Sequence, residues 1–365
     1  MNKNYLLIAV LMSVGMMTSC SSSDTEENTP VGNPAVVSLE LNGKAMTRSA
    51  ASTDEAYIKD GQAAAFDASG AIVGTVQSFL TSTSPTPTVN TTTQSTQISV
   101  VANPGSTSAF TSIVNKTNLE TVTTDLASTA TSVTTKNSQD PTKLPKYGNT
   151  PVNFSTNANI TQSVDMYNLV GKITLKSIKT NFDGTGYAGA TFVPKEVFLY
   201  NANTVCTFGG TGSSPQTGEN TDNTSYAVTT PTNYCYLSSG EIASYNELSP
   251  TSYTFYTFPN TSTTTPTKIV IKGAFTPNGG SPEYVYYPIT INKLQTGTTI
   301  KKDGTDRPAN DPNDSKIVQS TSYDVSITIS GKGVKNPGND ITPATATITM
   351  NVKDWTDYTQ TVTVN

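Results

Sequence analysis

The chain carries no histidine in 365 residues, and that absence removes most side-chain catalysis. Ser-His-Asp and Cys-His sites need an imidazole to take the nucleophile's proton, and His-ligated zinc sites need it as a ligand. Carboxylate chemistry, Ser-Lys pairs and oxygen-ligated calcium remain. Asp354 and Asp357 could be cast as paired carboxylates for glycoside hydrolysis, but they stand at a strand end with no identifiable aromatic sugar platform. Asp303-Gly304-Thr305-Asp306 and Asp311-Pro312-Asn313-Asp314 are rich in oxygen yet lack the regular ligand ladder of a calcium loop, so they read as solvated turns. Cys206 and Cys235 fit either a disulfide or two buried thiols; without a histidine they make no convincing structural metal site. No catalytic residue, metal or cofactor is expected, and the chain does not read as an enzyme.

Two positions stand out instead for chemistry done to the chain. Lys3 and the apolar run Tyr5–Met17, broken only by Ser13, form a leader too short to span a membrane as a helix. It ends in Met17-Thr18-Ser19-Cys20, which resembles the relaxed lipobox of Bacteroidota lipoproteins. Cys20 is then the expected lipidation site and the first residue after signal removal. Residues 21–34 are polar and acidic and read as a tether. The acids Asp24, Glu26 and Glu27 resemble the signal that exports such lipoproteins to the outer face of the outer membrane. Beyond the tether comes one alternating stretch, Val37-Ser38-Leu39-Glu40-Leu41, and then Arg48, one of only two arginines in the chain. A basic residue between a membrane anchor and the body reads as a cleavage point, Arg48 before the cut and Ser49 after it. Residues 21–48 are thus a tether plus a removable first strand, with Val37, Leu39 and Leu41 facing inward by period-two alternation. Removing that strand would expose unpaired backbone groups and an apolar groove for another chain to fill.

The body is β-patterned. Charged residues are only 13% of the chain, and Thr, Tyr and Val recur between 21 prolines and 25 glycines, a composition suited to half-buried strands and tight turns. The net charge of −5, with no basic stripe, argues against nucleic-acid binding. Strands are expected around the Asp67-Ala68-Ser69-Gly70 turn and over 97–102, with a surface loop over 78–97 and a helix over 107–135. Leu169 to Leu175 is expected to close a first domain over 49–182, with a hinge over 182–190. A second domain, 183–365, holds alternating runs at 252–258, 267–275, 284–291 and 322–330. It ends in Ala346-Ile348-Met350-Val352 and Tyr358-Gln360-Val362-Val364, joined around Trp355. The fold class is all-β with minor helix, two β-sandwich domains in series. The lone Trp355 reads either as core packing or as an anchor for an outgoing strand.

Taken in order, Cys20, Val36 to Leu41, Met46-Thr47-Arg48-Ser49-Ala50, the hairpin at Phe66 to Gly70, Leu169 to Leu175, Tyr286-Tyr287-Pro288-Ile289 and Asp354-Trp355 resemble the Bacteroidota type V pilins, the FimA- and Mfa-like fimbrillins. The resemblance implies two tandem transthyretin-like β-sandwich domains. It also implies a lipoprotein precursor, cleavage by an arginine-specific or trypsin-like protease, and polymerisation into adhesive surface fimbriae at the outer membrane. The implied partners are further copies of the chain, other fimbrial subunits and, through the precursor's lipid, the membrane; the adhesion ligand is not legible. A donor strand is expected at about 344–365, with Ile348, Met350, Val352, Val362 and Val364 as its apolar side chains. The same run also reads as the last strand of its own domain. A lipid-anchored monomeric adhesin or glycan-binding protein, or a tip or anchor subunit of the same fibre, is the alternative.

Overall fold

The computed structural model describes residues 32–42, 55–106, 108–220 and 233–354. The N-terminal part contains β1 (Pro34–Asn42), β2 (Asp60–Phe66), β3 (Gln77–Leu80), β4 (Thr88–Thr92), β5 (Gln97–Ala102), the short helix α1 (Lys116–Thr121), β6 (Thr123–Asp125), β7 (Lys146–Pro151), β8 (Asn159–Asp165) and β9 (Tyr167–Asn168). The C-terminal part contains β10 (Gly171–Thr180), β11 (Thr191–Tyr200), β12 (Ala202–Thr207), β13 (Gly212–Gln216), β14 (Tyr253–Thr257), β15 (Lys268–Thr276), β16 (Glu283–Thr290), β17 (Thr298–Lys302), β18 (Thr305–Asp306), β19 (Thr321–Ile329) and β20 (Ala346–Asp354).

These strands form a three-stranded sheet β4-β1-β8 and a five-stranded sheet β3-β2-β5-β7-β9 in the N-terminal part. The C-terminal part has a six-stranded sheet β14-β10-β19-β20-β17-β18 and a three-stranded sheet β11-β15-β16, while β6 reaches across to join β13-β12. The pairings β1–β8, β10–β19 and β17–β20 are parallel and the others antiparallel. The alternation of β19 is complete: Tyr323, Val325, Ile327 and Ile329 are buried, and the residues between them are partly exposed.

The five-stranded sheet is buried on both faces. Ala63, Ala65, Ile98, Val100 and Ala102 pack in one cluster with β1, while Ala64, Phe66 and Val101 belong to the larger cluster that holds Ile173, Leu175 and Phe255. Near-continuous burial along β2 and β5 is what a strand covered on two sides requires. The run Ala63-Ala64-Ala65 keeps the strand thin, so that both layers can approach it.

Several expectations are corrected. Leu169 to Leu175 does not close a first domain, because β10 pairs with β14 and β19 and so opens the second set of sheets. Residues 182–190 are not a hinge between domains but the β10–β11 connection, and Phe182 is buried edge-on against Phe275 with ring centroids 5.8 Å apart. Of the helix expected over 107–135, only Lys116–Thr121 forms, capped by the Asn115 side chain on the Asn118 amide; the threonine-rich remainder becomes short 3-10 turns and β6. The loop expected over 78–97 holds β4 and most of β3.

Edge strands present unpaired backbone groups, and one is occupied by a side chain. At the outer edge of β14, the Gln139 carboxamide donates to Tyr256 O and accepts from Tyr256 N, each at 2.9 Å, as a neighbouring strand would.

Because one sheet serves both clusters, truncating the large apolar side chain of β2 should affect the whole chain at once. Phe66→Ala should destabilise the protein by about 3–5 kcal/mol in a single cooperative denaturant transition. Two separated transitions in the parent protein, only one of them moved by the substitution, would contradict a shared core.

Candidate functional site

β1 lies between two strands and is held along both edges. Its residues Pro34–Ser38 pair with β4, and Val36–Asn42 pair with β8. Val37, Leu39 and Leu41 are buried, with Ala35 beside them, whereas Ser38 and Glu40 lie toward solvent. They pack with Val89 of β4, Val164 of β8 and the alanine face of β2. Burying three such side chains contributes roughly 5–9 kcal/mol before ordering costs. Polar contacts line the rim: Ser163 Oγ donates to Glu40 Oε2 at 3.2 Å, and Asn42 Nδ2 donates to Asp165 Oδ1 at 3.1 Å. Cys20, Arg48 and Ser49 lie outside the described residues.

The second arginine has a different setting. The Arg307 side chain is fully buried, with Nη1 3.9 Å from Asp311 Oδ2 and Nη2 paired with Asp314. Partial burial pushes the Asp314 carboxyl up, but the Leu294 amide and the Arg307 guanidinium hold it below the usual carboxylate range. The loop read as a solvated turn is thus a carboxylate clamp on a buried cation. Among the described residues no group of three or more Cys, Asp or Glu is placed to hold a metal ion.

The C-terminal run is corrected in part. β20 is filled on both edges within its own sheet, antiparallel to β19 and parallel to β17. Ile348, Met350 and Val352 are buried in the larger core. Over Ile348–Val352 both ladders are occupied, so this stretch offers no free edge to a neighbour, and withdrawing it would open the core around Tyr323 and Val325. These three residues therefore belong to their own domain. Trp355, Asp357, Val362 and Val364 lie outside the described residues.

One contact that sequence reading missed sits beside this frame. Glu55 Oε1 lies 2.7 Å from Lys172 Nζ on β10 and accepts from the Tyr256 hydroxyl on β14 at 2.6 Å. Burial and the Glu55 charge push the Tyr256 hydroxyl pKa up. The contact fixes the chain seven positions after Arg48 to the six-stranded sheet. An acid following Asp54 a few positions after an arginine carries no sequence signal for this.

Cys206 and Cys235 are buried free thiols rather than a disulfide. Cys206 Sγ donates to Thr207 O at 3.2 Å, and Cys235 Sγ donates to Asn220 Oδ1 at 3.0 Å. Burial pushes the Cys206 thiol up to about 12, so it is not a thiolate at neutral pH. A chain beginning after the leader should show no thiol reactive toward a disulfide reagent at pH 8 while folded, and two once unfolded without reductant. No reactive thiol after unfolding would establish a disulfide.

No curated protein matches the chain. Solved structures do. A candidate cell adhesion protein from Bacteroides eggerthii is 23% identical with a TM-score of 0.62, over 88% of this chain and 98% of its own. A second, from Parabacteroides distasonis, is 17% identical with a TM-score of 0.63, over 90% of this chain and 100% of its own. A fimbrilin from Porphyromonas gingivalis is 17% identical with a TM-score of 0.59, over 89% and 99%. These likenesses establish the β-sandwich fold. The family description "FimA-like major fimbrial subunit protein, C-terminal domain" matches residues 170–355, beginning where β10 begins and ending just beyond β20. With its sandwich sheets in that order and more than half its length within the match, the chain belongs to the FimA-like major fimbrial subunit family.

Proposed function

We propose that this fimbrial subunit is the shaft subunit of an adhesive surface fimbria, exported as a lipoprotein precursor through Cys20 and activated by cleavage between Arg48 and Ser49. β1 is then a placeholder that is lost after the cut, and the vacated groove between β4 and β8 accepts a strand from the next subunit. The observation that carries this reading is the position of β1. It is an interior strand of its sheet, yet the chain joins it to the rest of the body only through residues 43–54, which contain Arg48.

Three further observations support the reading. Arg307 is buried under Asp311 and Asp314, so a protease specific for arginine and acting on the folded chain has Arg48 as its target. Glu55, held by Lys172 and Tyr256, keeps the new N-terminal segment attached to the body after the cut. β20 is committed to its own sheet, so the donor is the segment beyond Asp354, where Tyr358-Gln360-Val362-Val364 repeats the alternation of β1. In the groove, Val362 and Val364 fill pockets that β1 fills with its leucines. The partners are other copies of the chain, other fimbrial subunits, an arginine-specific or trypsin-like protease and, before cleavage, the outer membrane. A tip subunit would lack a usable donor and an anchor would lack the cleavage site; this sequence carries both.

N-terminal sequencing of material sheared from cells should give Ser49 as the first residue. A chain still starting at Cys20 in the assembled fibre would contradict the reading.

A further inference from the structure

When β1 leaves its sheet, β4 and β8 are not left equally supported. β8 runs through Met166 directly into β9, a strand of the five-stranded sheet, and Gln162 Nε2 also donates to Thr150 Oγ1 of β7 at 3.1 Å. β4 reaches that sheet less directly, through the turn 93–96 that leads into β5, where Thr96 N donates to Phe66 O at 2.9 Å. All its strand pairing is with β1, and the flanking bonds from Thr93 N to Asn33 O and from Leu39 N to Pro87 O leave with the same segment. Without β1 an isolated β4 has no ladder to keep it extended.

One side chain spans the gap between the two sheets at this edge. Gln77 is fixed by its backbone in β3, opposite Ala63 of β2. Its carboxamide crosses to β4, where Nε2 donates to Asn90 O at 2.9 Å and Oε1 accepts from Asn90 N at 2.9 Å. Asn90 Nδ2 adds a third bond to the same oxygen at 3.3 Å. The orientation of the amide is determined by chemistry, since the flipped form would set donor against donor and acceptor against acceptor. Gly74 turns the segment before β3 through a φ of +87°, a conformation that side-chain-bearing residues rarely adopt. Thr91 Oγ1 of β4 also donates to Val73 O at 3.3 Å.

We propose that Gln77 is a positioning residue that keeps the strand-accepting groove open: it holds β4 extended and in register while the slot beside it is empty. The inference rests on the reading of β1 as removable. While β1 is present the bond is one support among many. Once β1 is gone it is the main polar tie between β4 and the rest of the sandwich. The incoming strand then meets two preset edges and does not have to order β4 as it binds, which raises its affinity by preorganisation. By filling the outer face of Asn90, the same carboxamide also blocks a strand from adding on the wrong side of β4.

The test uses the leader-free chain, cleaved by an arginine-specific protease and offered a fluorescein-labelled peptide of residues 34–42, with capture read by anisotropy. The cleaved parent should capture the peptide. Gln77→Ala, and the same-sized Gln77→Glu, which cannot donate to Asn90 O, should capture it about tenfold more weakly. Before cleavage both variants should melt within about 4 °C of the parent, because β1 still supports β4. Capture by the variants as tight as the parent's would overturn the role of Gln77 and leave the removable strand standing. Failure of the cleaved parent to capture any peptide would overturn both. Collapse of both variants before cleavage would also overturn the proposal, since Gln77 would then hold the fold itself and not the emptied groove.

Discussion

The N-terminal core closes because one strand lies in the slot between β4 and β8. Val37, Leu39 and Leu41 form one wall of that core, and the alanine face of β2 with Ile98 and Val100 of β5 forms the other. Period-two alternation sets the constraint: a slip of one residue would turn all three side chains to solvent and bring Ser38 and Glu40 inward. The other face of β2 and β5 is built into the larger core, so order in the slot is communicated to the second half of the chain through a shared sheet. It is this combination, an interior strand joined by a single connection, on which the proposed strand replacement rests.

The C-terminal half shows the opposite arrangement. β20 pairs on both sides with strands of its own sheet, and the long connections before and after β19 are fixed by polar pins. Arg307 holds the 307–314 loop through Asp311 and Asp314, and Lys268 holds the 338–340 segment, with Nζ 2.7 Å from Gly338 O and 2.8 Å from Asp340 Oδ1. Under the proposed function, this locked half keeps the subunit folded while the N-terminal slot changes occupant.

What the sequence revealed follows from periodicity. The alternations at Val37 to Leu41, at Tyr323 to Ile329 and at Ala346 to Val352 are strong because one face of each strand is buried and the other is not. β4 was hidden because Thr88-Val89-Asn90-Thr91-Thr92 offers one large apolar residue in a threonine-rich stretch, and such composition reads equally well as loop. The role of Leu169 to Leu175 is not legible in the sequence, because the run looks the same whichever sheet it joins; only the pairing of β10 with β14 and β19 decides. The expected helix failed where threonine density met short turns. Gln77, Gln139 and Glu55 act through single side chains on distant backbone or on a distant lysine and tyrosine, and spacing along the chain carries no trace of such contacts.

The most direct measurement of the placeholder account is the assembly state of the cleaved subunit with and without its last seven residues. With Thr359 to Asn365 deleted, the cleaved chain should remain folded and monomeric by light scattering while the full-length cleaved chain polymerises, because the groove is intact and the donor is gone. Normal fibres from the shortened chain would contradict strand donation by the terminal run and place the subunit contact elsewhere on the sandwich.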